Sequence, residues 1–142
     1  MGLCPVYTKY YAKSEPFGRA LGYAYDALVR SGSRFDANSA WNSLSERIRD
    51  GIYMGEGLLL PHTRIQGLER PLMAFAVCPG GFTDVKIRNG EVAQFLCVLL
   101  SPAESATAHT KAIAEMARLL LDAEWKSRAL AAMTDEEIAQ LF

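Results

Sequence analysis

Leu72 to Cys78 reads Leu-Met-Ala-Phe-Ala-Val-Cys, a run with no polar position to turn toward water. A strand of that kind is covered on both faces, so its sheet must carry a packed layer on each side. Val92 to Leu100 is a second apolar strand. A third, Leu58-Leu-Leu60, follows a Gly55-Glu-Gly57 turn. Pro61 has no N–H to donate to a ladder and is expected to end that strand. Segments of helical spacing lie before and after these runs. The expected fold class is therefore α/β: a single domain, residues 1–142, with a mixed central β-sheet flanked by helices on both faces. At 142 residues the chain can bury a core without staples.

The remaining elements are placed by local signals. Val6 to Ala12, rich in tyrosine and valine, is a first strand. Ser14 is the expected cap of a first helix, with Glu15 and Pro16 in its first turn and Phe17, Leu21, Ala24 and Leu28 inward. Ser31-Gly32 stops it. A second helix starts near Asp36 or Asn38, buries Trp41, Leu44 and Ile48, and stops at Gly51. Val85 and Ile87 alternate with charged residues, and the Asn89-Gly90 turn is expected to pair them with the Val92–Leu100 strand as an antiparallel hairpin. Ser101-Pro-Ala-Glu104 has the form of a capping box over a short turn. A long helix then begins near Thr107, with His109, Ile113, Met116, Ala117 and Leu120 on its inner face. Asp122 caps a further helix, and Thr134-Asp-Glu-Glu137 opens a terminal one.

A formal net charge of −1 excludes a general electrostatic grip on nucleic acid or anionic lipid. Cys4, Cys78 and Cys97 are widely spaced, and the last two lie inside apolar runs, as reduced core thiols would. No run approaches the roughly 18 apolar residues of a membrane span, and no signal-peptide pattern opens the chain. The expected location is cytoplasmic, with no direct membrane insertion. Paired Cys/His spacings for zinc, a P-loop, a dinucleotide fingerprint and a nucleophile elbow are all missing, so neither metal nor cofactor is expected.

The chemistry-bearing candidate is His62, one of two histidines. It follows a strand end, where open α/β sheets place reactive groups, and Thr63 and Arg64 beside it could both bind an anion. A neutral imidazole is a nucleophile near pH 7, and a hydrogen bond at one nitrogen decides which other nitrogen attacks. A nearby guanidinium suits a transferring phosphoryl group, whose oxygens it binds in bidentate fashion. Arg64 is the local candidate and Arg47 the upstream one; the plain reading of each is a solvated charge, and for Arg47 also a cation at a helix C-terminus. His109 lies in the first turn of a helix, where the dipole disfavours imidazolium. Its alternatives are a neutral hydrogen-bonding partner for an anion and a cap-region histidine outside any site.

Gly57-Leu-Leu-Leu-Pro-His62 resembles the glycine–apolar–proline–histidine phosphorylation motif of the fructose/mannitol-type enzyme IIA domains of the bacterial phosphotransferase system, which the nitrogen-regulatory members share. Arg70-Pro71, Gly80-Gly81, Asn89-Gly-Glu-Val92, the Phe95–Pro102 strand end, His109 and Thr134-Asp-Glu-Glu137 follow the family's order. The resemblance runs from about Ser14 to Phe142. It implies that His62 accepts a phosphoryl group from the histidine-containing phosphocarrier protein and passes it to an enzyme IIB domain, in sugar uptake or its regulation. It maps the family's arginine onto Arg47 and its second histidine onto His109.

The family's Arg-Glu pair and Ser-Thr-Gly step are replaced here by Glu46-Arg47-Ile48 and Gly51-Ile-Tyr-Met54, and the leucine after the second histidine by Thr110. Lost hydroxyls leave a more apolar rim around His62. The rival expectation is a non-enzymatic regulatory module of the same fold, acting on a transporter, channel or kinase; a small-ligand sensor is a third.

Overall fold

The computed structural model describes residues 3–142. In chain order the elements are β1 (Tyr7–Tyr10), β2 (Glu15–Pro16), α1 (Phe17–Val29), α2 (Ala37–Asp50), β3 (Leu58–Leu59), β4 (His62–Ile65), β5 (Leu72–Val77), β6 (Phe82–Thr83), β7 (Phe95–Pro102), α3 (Ala106–Leu121), α4 (Ala123–Ala131) and α5 (Asp135–Ala139). The main sheet runs β1-β5-β7-β3, with β4 also on β7. β1 is parallel to β5, β5 antiparallel to β7, and β3 and β4 both parallel to β7. The mixed α/β single domain is thus as expected.

Alternation along β5 and β7 divides the core in two, because successive side chains of a strand point to opposite faces. Ala74, Ala76, Leu96, Val98 and Leu100 pack with Leu21, Leu28 and Leu44 of α1 and α2. Met73, Phe75, Val77, Phe95, Cys97 and Leu99 pack with Met116, Trp125 and Ile138 of α3, α4 and α5. Both β5 and β7 are buried throughout. Desolvation within that second core pushes the Cys97 thiol pKa up, so it is no nucleophile.

Several local expectations are corrected. Ser14 caps nothing: its hydroxyl donates to the Gly80 carbonyl at 2.8 Å. Proline disfavours helical backbone in the residue before it, so Glu15 stays extended and Glu15–Pro16 pairs in parallel with Phe82–Thr83. The helix then starts at Phe17. In α2, capped by Asp36, the buried residues are Ala40 and Leu44, while Trp41 is 38% exposed and packs at a tilt against Tyr25 with centroids 4.9 Å apart.

No hairpin forms through Asn89-Gly90. Both edges of β7 are already occupied, by β5 on one side and by β3 and β4 on the other. Val85 and Ile87 instead pack half-buried against the α1 and α2 side of the core. Ser101 belongs to β7 and is fully buried. Ser105 is the residue that caps α3, accepting from the Ala108 amide at 3.1 Å. On α3 the buried residues are Ala112, Met116 and Leu120, with Ala117 exposed. Asp122 and Thr134 cap α4 and α5 as expected. No helix among the described residues is long and apolar enough to cross a membrane.

Candidate functional site

The Leu-Leu-Leu-Pro-His stretch is one strand broken in the middle. Leu58 and Leu59 pair with Phe95 and Leu96, and His62 resumes the same register opposite Leu99. The expectation that pairing ends at Pro61 is corrected: proline forfeits one donor, but its carbonyl still accepts from the Leu99 amide at 3.0 Å. His62 therefore opens β4 rather than trailing a strand end.

The interruption leaves the Leu60 carbonyl beside the imidazole, 2.7 Å from His62 Nδ1. A carbonyl oxygen can only accept, so Nδ1 carries the proton and, in the neutral ring, Nε2 carries the lone pair. The ring is half-buried and its orientation is held by a backbone atom only two residues away.

His109, one turn into α3, faces it: the ring centroids are 5.5 Å apart and the planes 34° apart. His109 Nδ1 is buried with no hydrogen-bond partner. Burial holds the His109 pKa below its ordinary 6.5, and the positive charges of His62, Arg64 and Arg47 press it further down. Of the four predicted site residues, the structure sets the His62 and His109 rings face to face. Arg64, exposed on β4, donates from Nη2 to the Ala103 carbonyl at 2.5 Å. Arg47 is exposed in the last turn of α2.

That shift fixes a pH dependence. Between the lowered folded value and the unfolded value near 6.5, the unfolded chain binds more protons. The stability due to neutral His109 is therefore present in full above about pH 6.5 and lost as pH falls from there through the folded value. An NMR titration of the imidazole resonances is expected to give His109 a midpoint below 6.5, moving upward in His62→Ala as one positive neighbour is removed. A midpoint at or above 6.5 would contradict the half-buried placement of the ring against His62.

Thr63 is not an anion ligand. It is 3% exposed, and its hydroxyl is hydrogen-bonded to Ser43 of α2 at 2.5 Å. Ser43 and the Leu60 carbonyl carry no sequence signal, since both enter the site only through the packing of α2 on β4 and the break at Pro61. The Gly51–Met54 segment lies along β3: Tyr53 bridges Leu59, the Leu60 amide donates to Ile52 at 2.9 Å and the Met54 amide to Leu58 at 2.9 Å. Tyr53 hydroxyl donates to Glu91 at 2.6 Å and accepts from the Gly57 amide at 3.1 Å. Among the described residues no cluster of three or more His, Cys, Asp and Glu side chains is gathered as metal ligands would be.

Comparison with known proteins decides the lineage of this chain. The family "Phosphoenolpyruvate-dependent sugar phosphotransferase system, EIIA 2" matches residues 11–142, from the end of β1 to the last residue. The chain belongs to that family. A nitrogen regulatory protein of Pseudomonas aeruginosa is 27% identical over 124 residues, covering 87% of this chain and 80% of its own. The EIIA 2 fold is shared with the nitrogen regulatory protein IIA-Ntr of Neisseria meningitidis, at a TM-score of 0.79 and 18% identity over 96% of this chain and 92% of that one. It is shared too with enzyme IIA of the Escherichia coli mannitol system, solved in complex with phosphorylated enzyme IIB. There the TM-score is 0.69 and the identity 16%, over 94% of this chain and 92% of that one.

Proposed function

We propose that this EIIA 2 protein is a phosphohistidine carrier. His62 Nε2 takes a phosphoryl group from the histidine-containing phosphocarrier protein and hands it to an enzyme IIB domain. The observation that carries the reading is the 2.7 Å bond from His62 Nδ1 to the Leu60 carbonyl, which leaves Nε2 as the nucleophile in a ring already oriented.

The Nε2 lone pair forms the new N–P bond. The P–N bond of the donor phosphohistidine breaks, and its electron pair stays on the donor ring. As the His62 ring gains positive character, its Nδ1–H bond to Leu60 strengthens. Arg47 and Arg64 supply positive charge to the phosphoryl oxygens, and neutral His109 supplies a ring nitrogen. Little covalent work is left to the protein beyond positioning and charge stabilisation. Transfer onward to enzyme IIB runs the same step in reverse.

A regulatory role without transfer is the second reading. It is favoured by the Gly51-Ile-Tyr-Met54 segment, which stands in the region of the family's Ser-Thr-Gly step, and by the nitrogen regulatory relative. Incubation with phosphoenolpyruvate, enzyme I and the phosphocarrier separates the two. The carrier is expected to become labelled, with a bond stable in alkali and labile in acid. An unlabelled protein beside an active donor system would establish the regulatory module instead.

A further inference from the structure

Thr63 directly follows His62, and the two side chains fall on opposite faces of β4. His62 stands opposite Leu99, which packs on the α3 side, while Thr63 stands opposite Leu100, which packs on the α2 side. The buried Thr63 hydroxyl meets Ser43 Oγ at 2.5 Å. Ser43 is one turn before Arg47 on the same face of α2, since residues four apart on a helix are stacked neighbours. Arg47 stands exposed in the last turn of that helix, and α2 packs on β4 through the Ser43–Thr63 contact.

We infer that the Ser43–Thr63 hydrogen bond is a positioning latch. It sets the rotation and height of α2 against the edge strand β4 and so fixes where Arg47, one turn further on, can reach toward the His62 side of that edge. The inference rests on the carrier reading of His62. Its physical basis is directionality. Elsewhere in α2 the buried contacts are Ala40 and Leu44, and apolar packing tolerates small slides that a hydroxyl–hydroxyl bond does not. Arg47 is long and exposed, so the reach of its guanidinium depends on where the helix backbone sits. Misplacement of a clamp by about 1 Å can cost up to about a hundredfold in rate.

Thr63→Val keeps the branched shape of the buried side chain and removes the hydroxyl; Ser43→Ala removes the partner. In the labelling assay each is expected to slow phosphorylation of His62 about tenfold, with the double variant no slower than either. Thr63→Ser is expected to restore the wild-type rate. In an Arg47→Ala background, Thr63→Val is expected to change nothing more, because the group it positions has gone. Equal slowing with and without Arg47 would mean a merely structural role and overturn the latch, as would wild-type rates in Thr63→Val and Ser43→Ala. If Thr63→Val does not fold, Ser43→Ala carries the same comparison from the half-buried side of α2. A wild-type protein that takes no label overturns the carrier reading instead. The latch is then read from the Arg47 Nε–Hε NMR resonance, which is expected to shift in Ser43→Ala; an unmoved resonance would overturn it.

Discussion

His62→Ala is expected to accept no label from the phosphocarrier and to keep its fold. The loss is expected to be complete, because the other site histidine lacks the features that prepare His62 for attack. His109 is the one other histidine; its Nδ1 is buried, and its ring sits on a helix rather than beside a carbonyl that fixes the attacking nitrogen. The structural cost is small. His62 is half-buried, and deleting its single 2.7 Å bond to Leu60 removes a net contribution of about 1 kcal/mol. Circular dichroism and a melting curve establish the fold, and the label is read by acid lability. Label persisting in His62→Ala would move the acceptor to His109.

Arg47→Ala is expected to slow labelling by about tenfold to a thousandfold, the range for losing one electrostatic donor aimed at the transferring group. Its exposure argues for the lower part of that range, since solvent screens a surface charge. Stability should be nearly unchanged, because the buried residues of α2 are Ala40 and Leu44 and not the arginine. The diagnostic split is a fall in the rate of transfer with the fold intact. Unchanged kinetics would assign the clamp to Arg64, whose guanidinium is anchored on the Ala103 carbonyl at the end of β7.

The amino-acid sequence by itself determined the layered α/β class, because Leu72–Cys78 can be solvated on neither face. It also determined α1 by periodicity, α2 and the C-terminal helices by periodicity and caps, and it singled out His62, His109, Arg47 and Arg64. These are local signals, written in a few neighbouring residues. The partner of β7 was not of that kind. Asn89-Gly90 is a strong turn signal, yet strand pairing is settled by which edges remain open, and β5, β3 and β4 had taken both. The cap of α1 failed for the same reason: Ser14 found a carbonyl 66 residues away in Gly80. At the site, four residues scattered from position 47 to 109 could be named, but not gathered. Only the tertiary structure put the His62 and His109 rings 5.5 Å apart, turned the Leu60 carbonyl onto Nδ1 and buried Thr63 against Ser43. A hydroxyl beside a histidine reads as a ligand in the sequence; the alternation of β4 turned it away from the ring, toward a helix packed on the opposite face of the sheet.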